Sequence, residues 1–246
     1  MKAVILAGGR GTRLAPYTAI FPKPLVPIGD RPILEIILRQ LAYYGFRDVT
    51  LTVGHLGELI QAYFAHAKAR LPPSDIHYVV DHQPTGTAGS LASVPGLDDT
   101  FLVMNGDVLT GLDYRRLVAH HHARGGLLTV AMRRRSVKVD FGVIKIDGNG
   151  DVVDYIEKPE HEYSVSMGIY VYEPGALRYI EPGGYLDLPQ LVLRLLEAGE
   201  KVVSYHSDDY WLDIGRVDDY AAAQNEFEQY RAILLPDGGD PDRPSP

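Results

Sequence analysis

Residues 2–14, KAVILAGGRGTRL, carry an apolar run directly into a glycine-rich loop. We predict that residues 2–7 form a buried strand, because a short, uninterrupted apolar run is typical of a strand covered on both faces. Glycines that follow a first strand let the backbone approach a phosphate chain closely, with its N–H groups facing the oxygens. The stretch therefore predicts an α/β fold with an anion site at the end of its first strand.

The rest of the first half alternates predicted helices with predicted strands. Helices are expected at residues 32–44, with Asp30 as N-cap and Gly45 as terminator, and at 57–69. Strands are expected at 49–53, 76–80 and 101–104. Such alternation implies a Rossmann-like sheet, mixed but mainly parallel, that helices cover on both faces.

After residue 127 the predicted elements change character. Strands are expected at 127–132, 142–146, 152–156 and 164–172, and helices at 186–198 and 217–230. Asp147-Gly148-Asn149-Gly150 is a strong hairpin signal between two of these strands. This half therefore adds a smaller region that is rich in β-structure.

Composition and charge exclude several classes of function. The 246 residues contain no cysteine, which rules out disulfides and thiolate zinc sites and fits a reducing cytoplasmic location. No signal peptide or membrane span is predicted, since no apolar run approaches the ~20 residues that a span needs. A net charge of −8 argues against nucleic-acid binding. Residues 1–29 nevertheless hold four basic side chains and no acid, which suggests a local polyanion site.

Two familiar phosphate motifs are absent from the glycine loop. A Walker loop needs Gly, four residues and then Gly-Lys-Ser/Thr, and that pattern does not occur. A dinucleotide fingerprint needs Gly-x-Gly-x-x-Gly, but Gly9-Arg10-Gly11 continues to Leu14. Arg13 and Lys23 would add full charges that neutralise a triphosphate. The alternative is an ordinary turn with incidental arginines.

Asp107 is a candidate metal ligand, because it follows the predicted strand 101–104 at the sheet edge where α/β proteins bind ligands. Magnesium prefers a few hard oxygen ligands together with substrate phosphates and retained waters. Asp213 is the candidate second ligand, from a distant part of the chain. The alternative is that Asp107 caps a turn and that Asp213 is a surface acid.

Five motifs, in this order, resemble the signature of the sugar-1-phosphate nucleotidylyltransferases. They are the glycine loop with Phe21-Pro22-Lys23-Pro24-Leu25, then Gly86-Thr87-Ala88-Gly89, Asn105-Gly106-Asp107, Glu157-Lys158-Pro159 and Trp211-Leu212-Asp213-Ile214-Gly215. The resemblance is closest to guanylyltransferases acting on mannose, heptose or glucosamine 1-phosphates. It implies the nucleotide-diphospho-sugar transferase type of fold. It also implies a Mg²⁺-dependent reaction in which a nucleoside triphosphate and a sugar 1-phosphate give an NDP-sugar and pyrophosphate.

We expect one nucleotidyltransferase domain over residues 1–235. Its nucleotide-binding half is predicted at 1–110 and its smaller sugar-phosphate-binding half at 111–235. The tail 236–246 is rich in Pro, Gly and Asp and is predicted to be disordered. Many relatives self-associate, so the resemblance also allows a homo-oligomer.

The resemblance assigns roles to individual residues. Arg13 would hold the departing β- and γ-phosphates, Lys23 would stabilise the α-phosphoryl group, and Lys158 would hold the attacking sugar phosphate. Asp107 and Asp213 would bind Mg²⁺, as the family's ligands do. The residues expected to contact the nucleotide are Leu6, Ala7, Gly8, Gly9, Gly11, Thr12, Arg13, Lys23, Asp81, Gly86, Thr87 and Asp107. The residues expected on the sugar-phosphate side are Asn105, Gly142, Glu157, Lys158, Ser166 and Trp211.

The choice of base depends on Asp81, which lies five residues before Gly86, where uridylyl and thymidylyl relatives often carry glutamine. A carboxylate can accept from both N1–H and the 2-amino group of guanine, whereas a glutamine amide better matches uracil or thymine. The sequence thus favours GTP. A small register shift would put Gln83 at the base instead, and Asp81 could be a loop acid facing water, so UTP, dTTP and CTP stay open.

The sugar side leaves further alternatives. Glu157 is expected to accept from sugar hydroxyls, and Gly142 to let the backbone approach the sugar. Ser166 departs from the asparagine that many relatives carry, which leaves the identity of the sugar open. Trp211 could pack on the sugar or only support Asp213. An inactive regulatory relative that only binds an NDP-sugar is the rival from another class, and the five intact motifs argue against it.

Overall fold

The protein, seen in a computed structural model that describes residues 1–81 and 83–236, is built around a seven-stranded sheet. The strands are β1 (Lys2–Ala7), β2 (Pro27–Ile28), β3 (Arg31–Pro32), β4 (Asp48–Val53), β5 (Asp75–Val80), β6 (Phe101–Asn105), β7 (Val108–Thr110), β8 (Leu128–Lys138), β9 (Val143–Ile146), β10 (Val152–Ile156), β11 (Glu160–Tyr172), β12 (Val202–His206) and β13 (Trp211–Asp213). The helices are α1 (Ile33–Tyr43), α2 (Gly57–Ala67), α3 (Gly86–Gly89), α4 (Tyr114–Arg124), α5 (Leu188–Glu197) and α6 (Val217–Leu234).

The main sheet has the order β12-β8-β11-β6-β1-β4-β5. β1 pairs in parallel with β4 and β6, β4 pairs in parallel with β5, and β8 pairs in parallel with β12. β11 is antiparallel to both of its neighbours, β6 and β8. The predicted mixed, mainly parallel sheet is therefore confirmed.

β1 explains why both faces of the sheet are covered. Its side chains alternate between two hydrophobic cores, with Ala3 and Ile5 in one core and Val4 in the other. The first core is closed by α1, α2, α4 and α6, and the second by α5 and residues 88–97. An apolar run without polar interruptions is what a strand in this position requires.

A small ladder at the carboxyl end of β6 joins the two halves of the chain. β7 follows β6 directly and pairs antiparallel with β13, so that Asp213 lies opposite Val108. β9 and β10 form the predicted antiparallel hairpin, whose turn is held by Asp147 Oδ1, which accepts from the N–H of Asn149 at 2.9 Å. Of these two features, the β7–β13 ladder brings a residue of the second half, Asp213, next to the first half.

Three predictions about the elements need correction or comment. Asp30 is not the N-cap of α1, because β2 and β3 pair across it and the helix begins only after Pro32; its carboxylate instead pairs with Arg231 of α6 at 3.2 Å.

β12 and the short β7–β13 ladder were not predicted. The predicted disordered tail lies outside the described residues from 237 onward. Among the helices that the structure describes, none combines the length and apolar character of a membrane span.

Candidate active site

A cavity of about 640 Å³ opens at the carboxyl ends of the parallel strands. Ligands of open α/β sheets bind at this edge, because the loops that follow the strands converge there. Ten of the predicted site residues line it: Leu6, Ala7, Gly8, Gly9, Lys23, Asp81, Gly86, Thr87, Asn105 and Asp107. The structure therefore gathers most of the expected nucleotide-binding residues around one space.

Parts of the glycine loop, and the end of β1 before it, lie so close to their neighbours that an added Cβ would be crowded. A Cβ on Gly54 would lie 3.0 Å from the carbonyl oxygen of Gly8, and one on Gly106 would lie 3.0 Å from that of Leu6. Gly11 has φ +61, and a Cβ there would lie 3.0 Å from Cβ of Lys23. The loop can thus pack on the strand ends while its own backbone faces the cavity.

Lys23 and Asp107 form an ion pair at the floor of the cavity. Lys23 Nζ lies 2.5 Å from Asp107 Oδ2, and the lysine is only 8% exposed. The other oxygen, Asp107 Oδ1, is buried, and no donor among the described residues reaches it. A buried carboxylate oxygen without a partner is costly, so this atom fits a ligand for a hard cation.

Asp213 lies beside Asp107 because of the β7–β13 ladder. Ile214 N donates to the carbonyl oxygen of Asp107 at 3.0 Å. Burial, and next the charge of Asp107, raise the pKa of the Asp213 carboxyl, while Lys23 and Arg13 act against that shift. Two carboxylates that repel each other in a partly buried site would be stabilised by a divalent cation.

Gly11, Thr12 and Arg13 do not line the cavity. The short turn Thr12–Leu14 follows Gly11 and carries Arg13 towards the second carboxylate instead. A Cβ on Gly215 would lie 3.6 Å from Asp213 Oδ2 and 3.9 Å from Arg13 Nη1. Arg13 therefore accompanies Asp213, and Lys23 accompanies Asp107.

The cavity wall formed by residues 81 and 83–87 holds both residues between which the sequence could not choose. Asp81 and Gln83 each line the cavity. Asp81 Oδ2 accepts from Thr85 Oγ1 at 3.3 Å, and this hydrogen bond holds the carboxylate at the cavity rather than in the solvent. The geometry leaves the assignment of the base open.

The expected sugar-side residues fall into two groups, and only Asn105 lines the cavity. The first group surrounds a bulge in β11, where Gly168 lies against the Asn105 amide. Ser166 Oγ lies 2.9 Å from the hydroxyl of Tyr170. Trp211 Nε1 donates to the carbonyl oxygen of Met167 at 2.9 Å. Trp211 therefore anchors β13, the strand of Asp213.

The second group lies at the end of the β9–β10 hairpin, where Glu157 and Lys158 are exposed and Gly142 is half-buried. Glu157 Oε2 accepts from the hydroxyl of Tyr155 at 3.0 Å, and Gly142 leaves space for that hydroxyl. Lys158 has φ 44, a left-handed conformation that is uncommon for a residue with a side chain. Such backbone strain is often found where a side chain must take a particular direction.

Several cavity residues were missed by the sequence analysis. Gly54 and His55 directly follow β4, so their position after a parallel strand was a usable signal. Arg10 lies within the glycine loop itself. Tyr185 and Asp187 also line the cavity, although they precede α5 in the second half, and no local pattern points to them.

Taken chemically, the site combines two adjacent carboxylates, two cations and a close-packed glycine loop. Within residues 1–81 and 83–236, no three His, Asp or Glu side chains cluster as a complete protein metal site. A pair of carboxylates is what Mg²⁺ uses when phosphates of a substrate complete its ligands. The arrangement is therefore suited to bringing phosphate groups together.

Comparisons with known proteins agree with this reading of the fold. The profile of the nucleotidyl transferase family matches residues 2–230. A UTP–glucose-1-phosphate uridylyltransferase of Synechocystis is 35% identical, over 89% of this chain and 61% of its own length. A mannose-1-phosphate guanylyltransferase of Mycobacterium tuberculosis is 33% identical, over 89% of this chain and 62% of its own. The chain thus spans about three fifths of the length of these relatives.

A solved structure shares the fold. The crystal structure of HddC from Yersinia pseudotuberculosis superposes with a TM-score of 0.72 at 23% identity, covering 92% of this chain and 99% of that chain. At this identity the likeness speaks for the architecture, with its central sheet between two layers of helices.

Proposed function

Since the chain belongs to the nucleotidyl transferase family, we propose that it transfers a nucleoside monophosphate from a nucleoside triphosphate to a sugar 1-phosphate and releases pyrophosphate. The observation that carries the proposal is the meeting of Asp213 with Asp107, which lines the cavity together with Lys23. Residues from distant parts of the chain thereby form one site for anionic groups.

Mg²⁺ is the proposed cofactor, held by Asp107 and Asp213. Support comes from Asp107 Oδ1, which is buried without a donor among the described residues, and from the Asp213 pKa, which burial and the Asp107 charge raise despite Lys23 and Arg13. When bound there, the ion would neutralise charge on the phosphates.

The residues of the glycine loop would position the triphosphate. Its backbone packs against Gly54 at Gly8, and the end of β1 before it packs against Gly106. Lys23 supplies a positive charge for the α-phosphoryl group, and Arg13 does so for the departing phosphates. An oxygen of the sugar phosphate attacks in line, and because that oxygen is already anionic, no general base is required. Catalysis is then positioning together with charge stabilisation.

The acceptor would enter from the side of β11 and the β9–β10 hairpin. Lys158 is the proposed cation for its phosphate, and Glu157 the proposed acceptor for its hydroxyls. Asn105 lies between this side and the cavity, since it lines the cavity and packs against Gly168. The two substrates would thus meet near Asp107.

GTP is the proposed nucleotide, and UTP is the second candidate. Asp81 at the cavity favours guanine, which offers two donors to a carboxylate. Gln83 lines the same cavity, and the relative from Synechocystis is named a uridylyltransferase, which favours UTP. The mycobacterial relative is named a guanylyltransferase of mannose 1-phosphate, so a hexose 1-phosphate is the proposed acceptor class.

The proposal is tested by measuring pyrophosphate release across a matrix of the four nucleoside triphosphates and several sugar 1-phosphates, with Mg²⁺ present. We expect release that depends on both substrates and is highest with GTP. Release with UTP alone would replace GTP by the second candidate. No release with any pair would refute the activity.

Two substitutions test the roles of the charged residues. Asp107→Asn and Lys23→Ala should each lower turnover by a factor on the order of 10² or more, because each removes a preorganised charge. Asp99→Asn and Lys68→Ala are matched controls away from the cavity and should leave turnover unchanged. Near-normal pyrophosphate release by both site variants would contradict the assigned roles.

A further inference from the structure

The carboxylate of Asp187 reaches from the start of α5 to the loop that is expected to face the base. Its Oδ1 accepts from the backbone N–H of Thr87 at 3.1 Å and from the Thr87 hydroxyl at 3.2 Å. The Thr87 hydroxyl oxygen in turn accepts from the N–H of Leu188 at 2.8 Å. Two segments that are 100 residues apart in the sequence are thus tied by side chains in both directions.

Backbone hydrogen bonds tighten the same junction. Ala88 N and Gly89 N both donate to the carbonyl oxygen of Leu186 at 2.9 Å, and Leu186 N donates to that of Thr85 at 2.8 Å. Gly86 has φ +77, and a Cβ there would lie 2.5 Å from the Leu186 carbonyl oxygen. These contacts fix the position of the Gly86–Gly89 turn relative to the residues that precede α5.

Asp187 also fixes an aromatic wall of the cavity. The hydroxyl of Tyr185 donates to Asp187 Oδ2 at 2.9 Å, while the Tyr185 side chain lines the cavity and is 62% exposed. Both oxygens of one carboxylate are thus used by groups that border the proposed nucleotide. The N–H and the hydroxyl of Thr87 are both engaged by Asp187 and by the start of α5. Thr87 therefore contributes to the conformation of the Gly86–Gly89 turn.

We propose that Asp187 is a positioning residue for the nucleotide base: it holds the Gly86–Gly89 turn and the Tyr185 ring in the geometry that binds the triphosphate. This inference rests on the proposed function. Asp187 would touch no reacting atom, so its loss should weaken triphosphate binding without weakening binding of the sugar phosphate. It also joins the base side of the site to α5, which belongs to the other half of the chain.

A simple helix-capping role makes a different prediction, and the chain offers a control for it. Asp187 N donates to Gln190 Oε1 at 3.1 Å at the start of α5, and Gln190 has no contact with Thr87 among those that the structure describes. Gln190→Ala therefore disturbs the cap but leaves the tie to the base loop. If Asp187 only caps α5, its loss should lower the stability of the protein without a selective change in triphosphate binding.

The experiment compares wild type, Asp187→Ala, Asp187→Asn and Gln190→Ala as full-length chains. Steady-state pyrophosphate release gives KM for each substrate, and calorimetry gives the Kd of a non-hydrolysable GTP analogue. We expect Asp187→Ala to raise the triphosphate KM and Kd by about tenfold or more, as for loss of charge-assisted hydrogen bonds, with the sugar-phosphate KM unchanged. Asp187→Asn, which keeps one acceptor oxygen and the side-chain shape, should lie between, and Gln190→Ala should match wild type.

A double-mutant cycle with Thr87→Val sharpens the test. This substitution removes the hydroxyl that Asp187 holds, so its effect on the triphosphate Kd should be much smaller when Asp187 is already Ala. Additive effects, or equal shifts in Asp187→Ala and Gln190→Ala, would overturn the inference while leaving the proposed function intact. A wild-type chain that binds no triphosphate would overturn both.

Discussion

At the scale of single residues, Asp213 is held in a position that its own charge disfavours. It is partly buried, and Asp107 lies across the β7–β13 ladder, so its pKa is raised first by burial and then by that neighbouring charge. A raised pKa means that stability is present in full below the ordinary aspartate value and is lost as the pH rises through the folded-state pKa. At neutral pH the ionised side chain therefore destabilises the fold, as is common at functional sites.

Asp213→Asn should consequently raise the stability of the protein while abolishing turnover. Without divalent cations we expect a gain of about 1 kcal/mol, which for a chain of this size corresponds to roughly 2–4 °C in Tm. Addition of Mg²⁺ should raise the Tm of the wild type but not that of the variant, because only the wild type keeps both ligands. Thermal unfolding with and without Mg²⁺ checks this, with Asp99→Asn as an exposed control. A lower Tm of the variant without Mg²⁺ would contradict the account.

At the scale of elements, the glycine loop has two kinds of glycine. Gly11 has φ +61 and packs against Lys23 and Thr18, with 3.0 Å from a would-be Cβ to each side chain. Gly9 has open space around its would-be Cβ and lines the cavity. The fold therefore requires a glycine at position 11, whereas it leaves room for a side chain at position 9.

Alanine substitutions should separate these two needs. Gly11→Ala is expected to destabilise the protein by about 1–3 kcal/mol, because it forces a side chain into a left-handed backbone and against Lys23. Gly9→Ala should change stability by less than about 0.5 kcal/mol, as for an unhindered surface site, but raise the triphosphate KM. Urea unfolding and steady-state kinetics on both variants measure the two effects. Equal losses of stability would show that the distinction is wrong.

The same scale shows what the sequence could and could not predict. β1 was predicted with its observed bounds because both of its faces are covered, so that the positions after Lys2 are all apolar. β12 was missed because it is a short edge strand of mixed burial, and it is ordered by its pairing with β8, which lies some seventy residues earlier. Asp30 looked like an N-cap only because the β2–β3 pairing across it is invisible in a helical pattern.

Some residues of the candidate site were likewise predictable from the sequence, and others were not. Asp107 and the glycine loop were predictable because each follows a strand, and strand ends converge in a parallel sheet. Asp187 was not predictable, since its partner Thr87 is 100 positions away and neither residue lies in a strand.

At the scale of the whole molecule, His121 links three parts of the fold. It is fully buried on α4, with Nδ1 2.8 Å from Thr129 Oγ1 of β8 and Nε2 2.9 Å from Glu173 Oε1, just after β11. Burial is the largest influence and lowers the pKa of His121 below its ordinary value, although Glu173 acts in the opposite direction. The native protein therefore holds this imidazole in its neutral form near neutral pH.

Stability should fall as the pH drops below the ordinary histidine pKa of about 6.5, because the unfolded chain then binds a proton that the folded chain resists. We expect His121→Gln to lose less stability than the wild type between about pH 7.5 and 5.5. His77→Gln makes the same change at a side chain that is 60% exposed and serves as the surface control. Chemical unfolding at a series of pH values gives the slopes. A variant slope equal to that of the wild type would rule out this role.

The central claim is that two distant carboxylates and the glycine loop bring the phosphates of two substrates together for nucleotidyl transfer. The most direct measurement uses GTP, and in parallel UTP, that carries a label on either the α- or the γ-phosphate. Each is incubated with a hexose 1-phosphate and Mg²⁺, and the product that contains the label is identified. The account predicts that the α-label enters an NDP-sugar and the γ-label leaves in pyrophosphate. Neither should occur without the sugar phosphate, and both should slow by a factor on the order of 10² or more in Asp107→Asn. A γ-label found on the sugar, or pyrophosphate released without any acceptor, would contradict it.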